Sequence, residues 1–580
     1  MFRLALCALL ASLAIHTAHA EELRFKQRLL DDLVQQVPDI LKTYDATTGR
    51  FGRGIWICND QQAMWPLAVA YATRAAGDSA NRYYHDPKLL EVIVKAGDAL
   101  IADMNPKGQW VFRKKDGSTW GDIHMPWTYS RWIRTFGLIR EQMPPEARKR
   151  WSDALTLGYT GIAASGLNHI HNIPTHHAMG LYAAGQIFQR PEWRQQAAAF
   201  MGKVVAAQQE GGYWAEGGGP VVAYDFVYVE ALGAYYAMSR DESVLPALVR
   251  SAEFHQHFTY PDGQNVETVD QRNPFHAGIA PGNAGFSFSP AGRAYLLTQW
   301  NRLGWKLEAD NIASLVQHGE EGSVAASAPA GQTQVFVLRE QGADRAATIR
   351  RGPWFVCLSA YTAPVSSSRW SQDRQNLVSI FHDRVGLILG GGNTKLQPAW
   401  SNFTVGDPSL LAHKPGDEKP HFFPPKGKLF HVPAKAQLRL QPEPGLELSY
   451  GPETCRIGIV IQDDRRLEYR LQATAESDLP VTAHLTLMPH LKQPLATAGG
   501  QKVTLGDAPL GLPSDGLGRW LSHAGWRLSV PEGSVLRWPV LPHNPYRKDG
   551  RASPAEGRIV VQVPLDRQHA ERQFVIEVPE

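Results

Sequence analysis

The 580-residue chain carries 59 Lys and Arg against 56 Asp and Glu, a formal net charge of +3. So even a balance excludes bulk nucleic-acid binding, which calls for a strong basic excess, while leaving room for a local basic cleft. Apolar residues make up 43% of the chain, enough to build sizeable cores.

Taken in chain order, residues 1–20 read as an export signal. Arg3 is the positive end, Leu4 to Ile15 the apolar run, and Ala18-His19-Ala20 the cleavage pattern. That run is too short to span a membrane permanently, and no later stretch is apolar enough. The expectation is therefore a soluble periplasmic or secreted protein with no membrane partner. Cys7 leaves with the signal. Cys58, Cys357 and Cys455 remain, and they form either one disulfide, Cys357 with Cys455, or three buried thiols. The absence of any C-x-x-C argues against a zinc ribbon.

From Glu22 to about Gly304 the text is helical, with apolar residues at three- and four-residue spacing. The spacing predicts helices over Leu23–Leu41 and Gln61–Ala76, then one started by Asp86-Pro87 as cap and first helical residue. Further helices are predicted near 126–141, 145–165, 174–189, 191–208, 221–239, 243–257 and 289–303. Short Gly, Pro, Asn and Asp breaks separate them. About ten antiparallel helices of similar length suggest paired rings, an α/α toroid, over residues 21–310.

After about Asn311 the periodicity changes to two. Gln334–Leu338, Trp354–Leu358, Leu377–Phe381, Val385–Leu389, Ala436–Leu440, Ile457–Ile461, Glu468–Ala473, Val481–Met488 and Phe574–Val578 read as strands of an antiparallel β-sandwich over 311–580. Pro408–Pro433 reads as a long loop over the surface or a cleft. A helical half followed by a β half makes an α+β multidomain chain. Gly390-Gly391-Gly392-Asn393-Thr394-Lys395 lacks the spacing of a phosphate loop and reads as a sharp turn at a sheet edge.

Chemistry-bearing residues concentrate between Asn168 and Tyr228. Pro174 suits the first position of a helix, with Asn172 just outside it and His176 and His177 in its first turn. Asn172 and His176, four apart, can share a face, and a helix N-terminus favours an anion. The spacing of His169, His171, His176 and His177 is not a recognised zinc pattern, so no metal is expected. The glycine-rich loop Glu210–Pro220 allows close backbone approach to a ligand and carries Glu216. Tyr224 and Tyr228 follow on one helical face, a spacing that serves a core as readily as a site. Arg272 and His276 sit in a polar turn, where Arg272 can hold a carboxylate bidentately. Aromatic residues suited to stacking on sugar rings cluster at Trp56, Trp65, Trp110, Trp120, Trp127, Tyr129 and Trp132. Among these, Trp127 and Trp65 neighbour polar loops, and Tyr129 lies beside them.

These motifs resemble those of the heparinase II/III-like polysaccharide lyases and their alginate-lyase relatives. N-I-P-T-H-H-A-M-G-L-Y-A-A-G is similar to that family's asparagine-helix motif, with Asn172 in the asparagine position. E-G-G-G-P-V-V-A-Y is similar to its glycine loop, with Tyr224 in the catalytic tyrosine position. Ile173 departs from the family's Asn-His pair. Ser368–Asp373 lacks the family's sandwich histidine pair, which leaves His382 as a candidate. The resemblance implies a toroid followed by a sandwich, and β-elimination on an anionic uronate polysaccharide or oligosaccharide without a cofactor. It implies that Asn172, helped by His176 or Arg272, stabilises the enolate-like charge. Tyr224 is then the acid, or acid and base both, with His176, His169 or His276 as the other partner. Trp65, Trp127, Tyr129, Glu216, Tyr228, Arg272 and His382 complete the expected substrate contacts. Two rival classes stand beside it. One is a hydrolase using Asp122 with Glu216 or Asp225. The other is a non-catalytic binder of anionic glycans.

Overall fold

Proline starts five of the helices, because its missing N–H falls where no helical partner exists anyway. They are α3 (Pro87–Asp103), α4 (Pro126–Ile139), α5 (Pro145–Ser165), α7 (Pro191–Ala206) and α10 (Pro290–Arg302). The computed structural model describes residues 21–580 apart from 77–79, 115–116, 274–277, 327–332 and 415. The expected export signal and His276 lie outside the described residues. At α3 the Asp86 carboxylate accepts from the Lys88 N–H at 3.0 Å, as the Asp-Pro pair predicts.

The remaining helices are α1 (Lys26–Leu41), α2 (Met64–Ala72), α6 (Asn172–Ile187), α8 (Val222–Ser239), α9 (Leu245–His257) and α11 (Ala309–His318). Helices α2, α4, α6, α8 and α11 pack side to side and close an inner ring. The others pack around them. Inner helices are buried on nearly every side, which explains why α6 is written in small residues. A Cβ on Gly180 would meet the Tyr159 hydroxyl at 2.5 Å. Helix α11 runs past the boundary expected at 310. A short hairpin, Trp110–Arg113 with Thr119–Ile123, rises just before α4, where helix alone is expected.

The ring has a filled axis. The Arg134 guanidinium lies 3.6 Å from the Trp65 ring centroid and 3.2 Å from Glu230 Oε1. Glu230 also accepts from Ser314 at 2.7 Å, and Arg131 Nε donates to Asp310 at 2.6 Å. Side chains of α2, α4, α8 and α11 thus meet in one polar knot, paired and hydrogen-bonded as buried charges require.

The second half is two stacked antiparallel sheets. One runs, in spatial order, through Leu510–Leu512, Val535–Val540, Arg558–Leu565, Val481–Leu487, Gly386–Leu389, Val378–His382, Trp354–Ser359, Ala343–Arg351 and Gln334–Glu340. The other begins at Lys435–Arg439 and ends at Lys502–Thr504. The first sheet is covered twice. Trp354, Val356 and Leu358 face the partner sheet, while Phe355 and Cys357 face Tyr213, Phe254 and Tyr260 of the helical half. A strand buried on both faces reads as a continuous apolar run, hence W-F-V-C-L. Cys58, Cys357 and Cys455 are buried free thiols, which settles the choice left open by the sequence.

The glycine run is not a sheet-edge turn. It is buried between the halves: the Gly391 N–H donates to Glu267 Oε1 at 2.8 Å, and a Cβ there would meet Arg558 Nε at 2.0 Å. With φ at +101° as well, Gly391→Ala is expected to cost about 1–3 kcal/mol. A thermal melt unchanged from wild type would contradict this.

Candidate active site

Three inner helices open at the same end of the ring. The Trp127 ring in the first turn of α4 stands edge-on to His176 in α6, with centroids 4.6 Å apart. His176 Nε2–H donates to the Val227 carbonyl of α8 at 3.1 Å. Deeper down, Arg134 of α4 meets Glu230 of α8, and Gln186 of α6 donates to the Met238 carbonyl of α8 at 3.2 Å. Residues at equal depth in each helix therefore meet, so the helices are parallel. Their positive dipole ends converge on one mouth.

Asn172 is the first residue of α6 rather than a residue outside it, and Pro174 is the third. The position still suits proline, because the first-turn N–H groups have no helical acceptor. Asn172 is 9% exposed, and its Oδ1 lies 3.5 Å from His171 Nδ1. His176 spends its Nε2–H on Val227, which leaves the lone pair on Nδ1, buried and without a partner. Burial, reinforced by Arg131 and Arg134, holds His176 well below the usual histidine pKa. His177 is likewise pulled to about 4 by burial and donates to the His124 carbonyl at 2.9 Å.

The glycine loop and the start of α8 form the opposite wall. Ala215 bridges Pro220, which turns Glu216 toward α8, where Oε1 accepts from the Tyr228 hydroxyl at 3.0 Å. Tyr224, one helical turn nearer the mouth, is half-buried with the Arg272 guanidinium 4.6 Å from its ring centroid. Burial raises its pKa, and Arg272 opposes that rise. Asp270 holds this corner together. Its buried carboxylate accepts from the N–H groups of Val222 at 2.7 Å, Arg272 at 2.6 Å and Asn273 at 2.9 Å. One side chain thus caps α8 and fixes the turn carrying Arg272.

The sandwich supplies the remaining wall. Gln372 N–H donates to the Gln271 carbonyl at 3.1 Å, and Asn393 Nδ2 to the Asp270 carbonyl at 3.0 Å. A cavity of about 210 Å³ opens here between the halves, lined by Arg272, Gln372, Asn393, His543, Asn544 and Tyr546 among others. From the expected loop, Phe422 stands edge-on to His543 of the cavity wall, with centroids 5.7 Å apart. Among the described residues no group of three His, Cys, Asp or Glu stands ready to hold a metal, and no helix is long and apolar enough to cross a membrane.

The starts of α4, α6 and α8 and the glycine loop therefore bring Trp127, Asn172, His176, Tyr224 and Glu216 to one end of the ring beside Arg272; of these, Arg272 is among the residues lining the cavity, and His176, 2% exposed, lies beneath the surface. Other expected contacts need correction. Trp65 and Tyr129 are 0% and 1% exposed, the first under Arg134 and the second donating to the Gly108 carbonyl, so neither has a face for a sugar. Tyr228 is 1% exposed and stacked on Trp214 with centroids 5.0 Å apart, so it supports Glu216 rather than a ligand. His382 has both ring nitrogens engaged inside the sandwich, Nε2 on the Asp464 carbonyl and Nδ1 on the Arg384 N–H. His169 is exposed on the loop leading to α6. Asp225, a carboxylate of the hydrolase reading, is sealed. It takes hydrogen bonds from Trp214 N–H, Ser251 and His255 at 3.0, 2.6 and 2.8 Å.

Comparison with protein-family models gave no match, and neither did comparison with curated protein sequences. Solved structures do match. A crystal structure of heparinase III aligns over 96% of this chain and 85% of its own, at TM-score 0.54 and 10% identity. The chain has the heparinase III fold. A second heparinase III structure covers 96% of this chain and 84% of its own at TM-score 0.48 and 14% identity. A heparan sulfate lyase mutant from Pedobacter heparinus covers the same shares at TM-score 0.44 and 12% identity.

Within this heparinase III fold, several residues at the site escaped the sequence reading. Asp270 had a signal: an Asp two residues before Arg272 is the pattern of a side chain that caps its own turn. His171, beside Asn172, did not escape: it belongs to the histidine cluster that the sequence singled out, without a role of its own. Gln372, Asn393, Asn544 and Tyr546 had none, since they reach the site only through packing of the sandwich on the ring.

Proposed function

We propose that the protein is a polysaccharide lyase that cleaves a uronate-containing polymer by β-elimination. The reaction breaks C5–H and C4–O and forms the C4=C5 double bond. The C5 proton goes to a base, and the departing O4 takes a proton from an acid. The fold likeness to heparinase III supports a polysaccharide lyase. The observation that carries the reading is the single mouth holding an amide, a phenol under a guanidinium, and a neutral imidazole.

Roles follow from the way environment drives titrations apart. Burial keeps the Tyr224 phenol protonated, so it donates to O4. Burial keeps His176 neutral with its lone pair on Nδ1, and at 2% exposure it takes the C5 proton only when substrate binding opens the mouth onto that nitrogen. Asn172 and Arg272 bind the uronate carboxylate, where the negative charge grows in the transition state. The export-signal pattern of residues 1–20 fits a substrate met outside the cytoplasm.

The test is incubation with a panel of uronate polymers, following the ultraviolet absorbance of a 4,5-unsaturated uronate. No rise with any of them would sink the reading. The pH dependence is a sharper expectation. A base whose pKa is depressed works above that lowered value, and an acid whose pKa is raised works below the raised one. The plateau of kcat/KM should therefore extend below pH 6.5 and up to about 10. An acid limb centred near 6.5 would remove His176 as base.

A further inference from the structure

We infer that the far end of the sandwich carries a second, non-catalytic site for the same acidic polymer, which holds the chain while the mouth cuts it. The polymer class rests on the lyase reading above. Two tight turns build the site, one from each sheet. Ala524 and Gly525 join Trp520–His523 to Trp526–Ser529, both at positive φ, +46° and +87°, as a two-residue hairpin requires. That turn lies on the turn at 383–385 of the first sheet, where a Cβ on Gly525 would meet Val385 Cγ1 at 3.0 Å. Beside them, with the edge strand Lys502–Thr504, a cavity of about 740 Å³ opens to solvent. Strands Val378–His382 and Gly386–Leu389 lead from the 383–385 turn toward Gln372 and Asn393 of the cavity beside Arg272. The two sites thus stand at least a strand length apart, about 17 Å.

Three cations line this cavity: Arg384 on its turn, Lys502 on the edge strand, and Arg527 after the hairpin. Arg384 and Lys502 are exposed, and among the described residues no carboxylate forms an ion pair with any of the three. The nearby acids are spent elsewhere. Glu580, which also lines the cavity, is taken by Arg465. Glu577, opposite Arg527 in the strand register, lies 3.8 Å from Arg466. The cavity therefore keeps an unbalanced positive charge. It also keeps unspent donors. Trp526 is 1% exposed and lines the cavity, and its buried Nε1–H has no acceptor. Arg527 Nε is buried without one too, its guanidinium 4.5 Å from the Trp520 ring centroid. Buried donors without partners call for an explanation, and a ligand oxygen supplies one. Val385, Pro494, Ala496 and Pro579 give the cavity apolar walls. Cations suit carboxylates, N–H donors suit hydroxyls, and apolar walls suit the faces of sugar rings. Phosphate groups would use the cations and leave the walls unused.

The experiment has two arms, both on the full chain, and compares wild-type cations with the exposed pair Arg384→Ser and Lys502→Ser. In the first arm, the Tyr224→Phe protein is labelled at tryptophan nitrogen, with Trp526→Phe assigning the Trp526 indole resonance. Short oligosaccharides of polymannuronate, hyaluronan and unsulfated heparan are added in turn. The Trp526 N–H signal should shift with at least one of them, and the shift should vanish in the double variant. No shift with any of the three overturns the second site. So does a shift given only by duplex DNA or by phosphatidylglycerol vesicles. In the second arm, the double variant should lose about tenfold in kcat/KM on long chains, through KM, because a chain held at a second point returns to the mouth at high effective concentration. Its kcat/KM on trisaccharides should equal that of wild type. Unchanged kinetics on long chains would overturn retention. A Trp526 shift without any ultraviolet rise supports the second site and removes the lyase reading alone.

Discussion

Tyr224→Phe is expected to remove the rise in ultraviolet absorbance while leaving the fold intact. A positioned proton donor contributes typically 10²–10⁴-fold, and a loss in that range is the expected size. The substitution is conservative where it matters for packing. The ring stays under Arg272, and the half-buried position loses only a hydroxyl. Circular dichroism and thermal melts should match wild type. Rate loss with an unchanged melt separates a chemical role from a structural one. Activity within a few-fold of wild type would take the phenol out of the mechanism.

The largest expected effect on stability is at Arg134→Met. Burial pulls this guanidinium down to about 10 even with Glu230 against it. Its removal strands the Glu230 carboxylate on the ring axis, with Ser314 as its remaining partner. Removing one member of a buried pair costs about 3–5 kcal/mol, because the other charge is left uncompensated. Denaturant unfolding should show a loss of that order. Arg134→Met with Glu230→Gln should recover part of it, since the stranded charge is gone. A single variant as stable as wild type would mean that the knot does not hold the ring.

The sequence was most legible where local chemistry decides structure. Asp86-Pro87 and the other proline starts located helices, and runs such as W-F-V-C-L located strands, because caps and periodicity act within a few residues. The mouth was half legible. Asn172, His176 and Tyr224 lie on helix starts that the pattern exposed, and the fold brings them to one end. Trp65 and Tyr129 misled, because an aromatic residue near polar loops looks the same whether it faces a cleft or an axis. Nothing local distinguishes Arg134, whose guanidinium covers Trp65, from an exposed arginine. Tyr546 and Asn393 were out of reach for another reason: they join the site only through contacts formed across more than a hundred residues of chain. The same holds for the Gly390–Gly392 run, whose reason is the approach of Glu267 and Arg558.

The central claim is elimination rather than hydrolysis. The measurement that tests it most directly is cleavage in water enriched in heavy oxygen, with mass analysis of both new chain ends. Elimination adds no water, so the account requires no heavy oxygen in either product and an unsaturated uronate at one new end. Heavy oxygen at one new end, with no double bond, would identify a hydrolase and contradict the account.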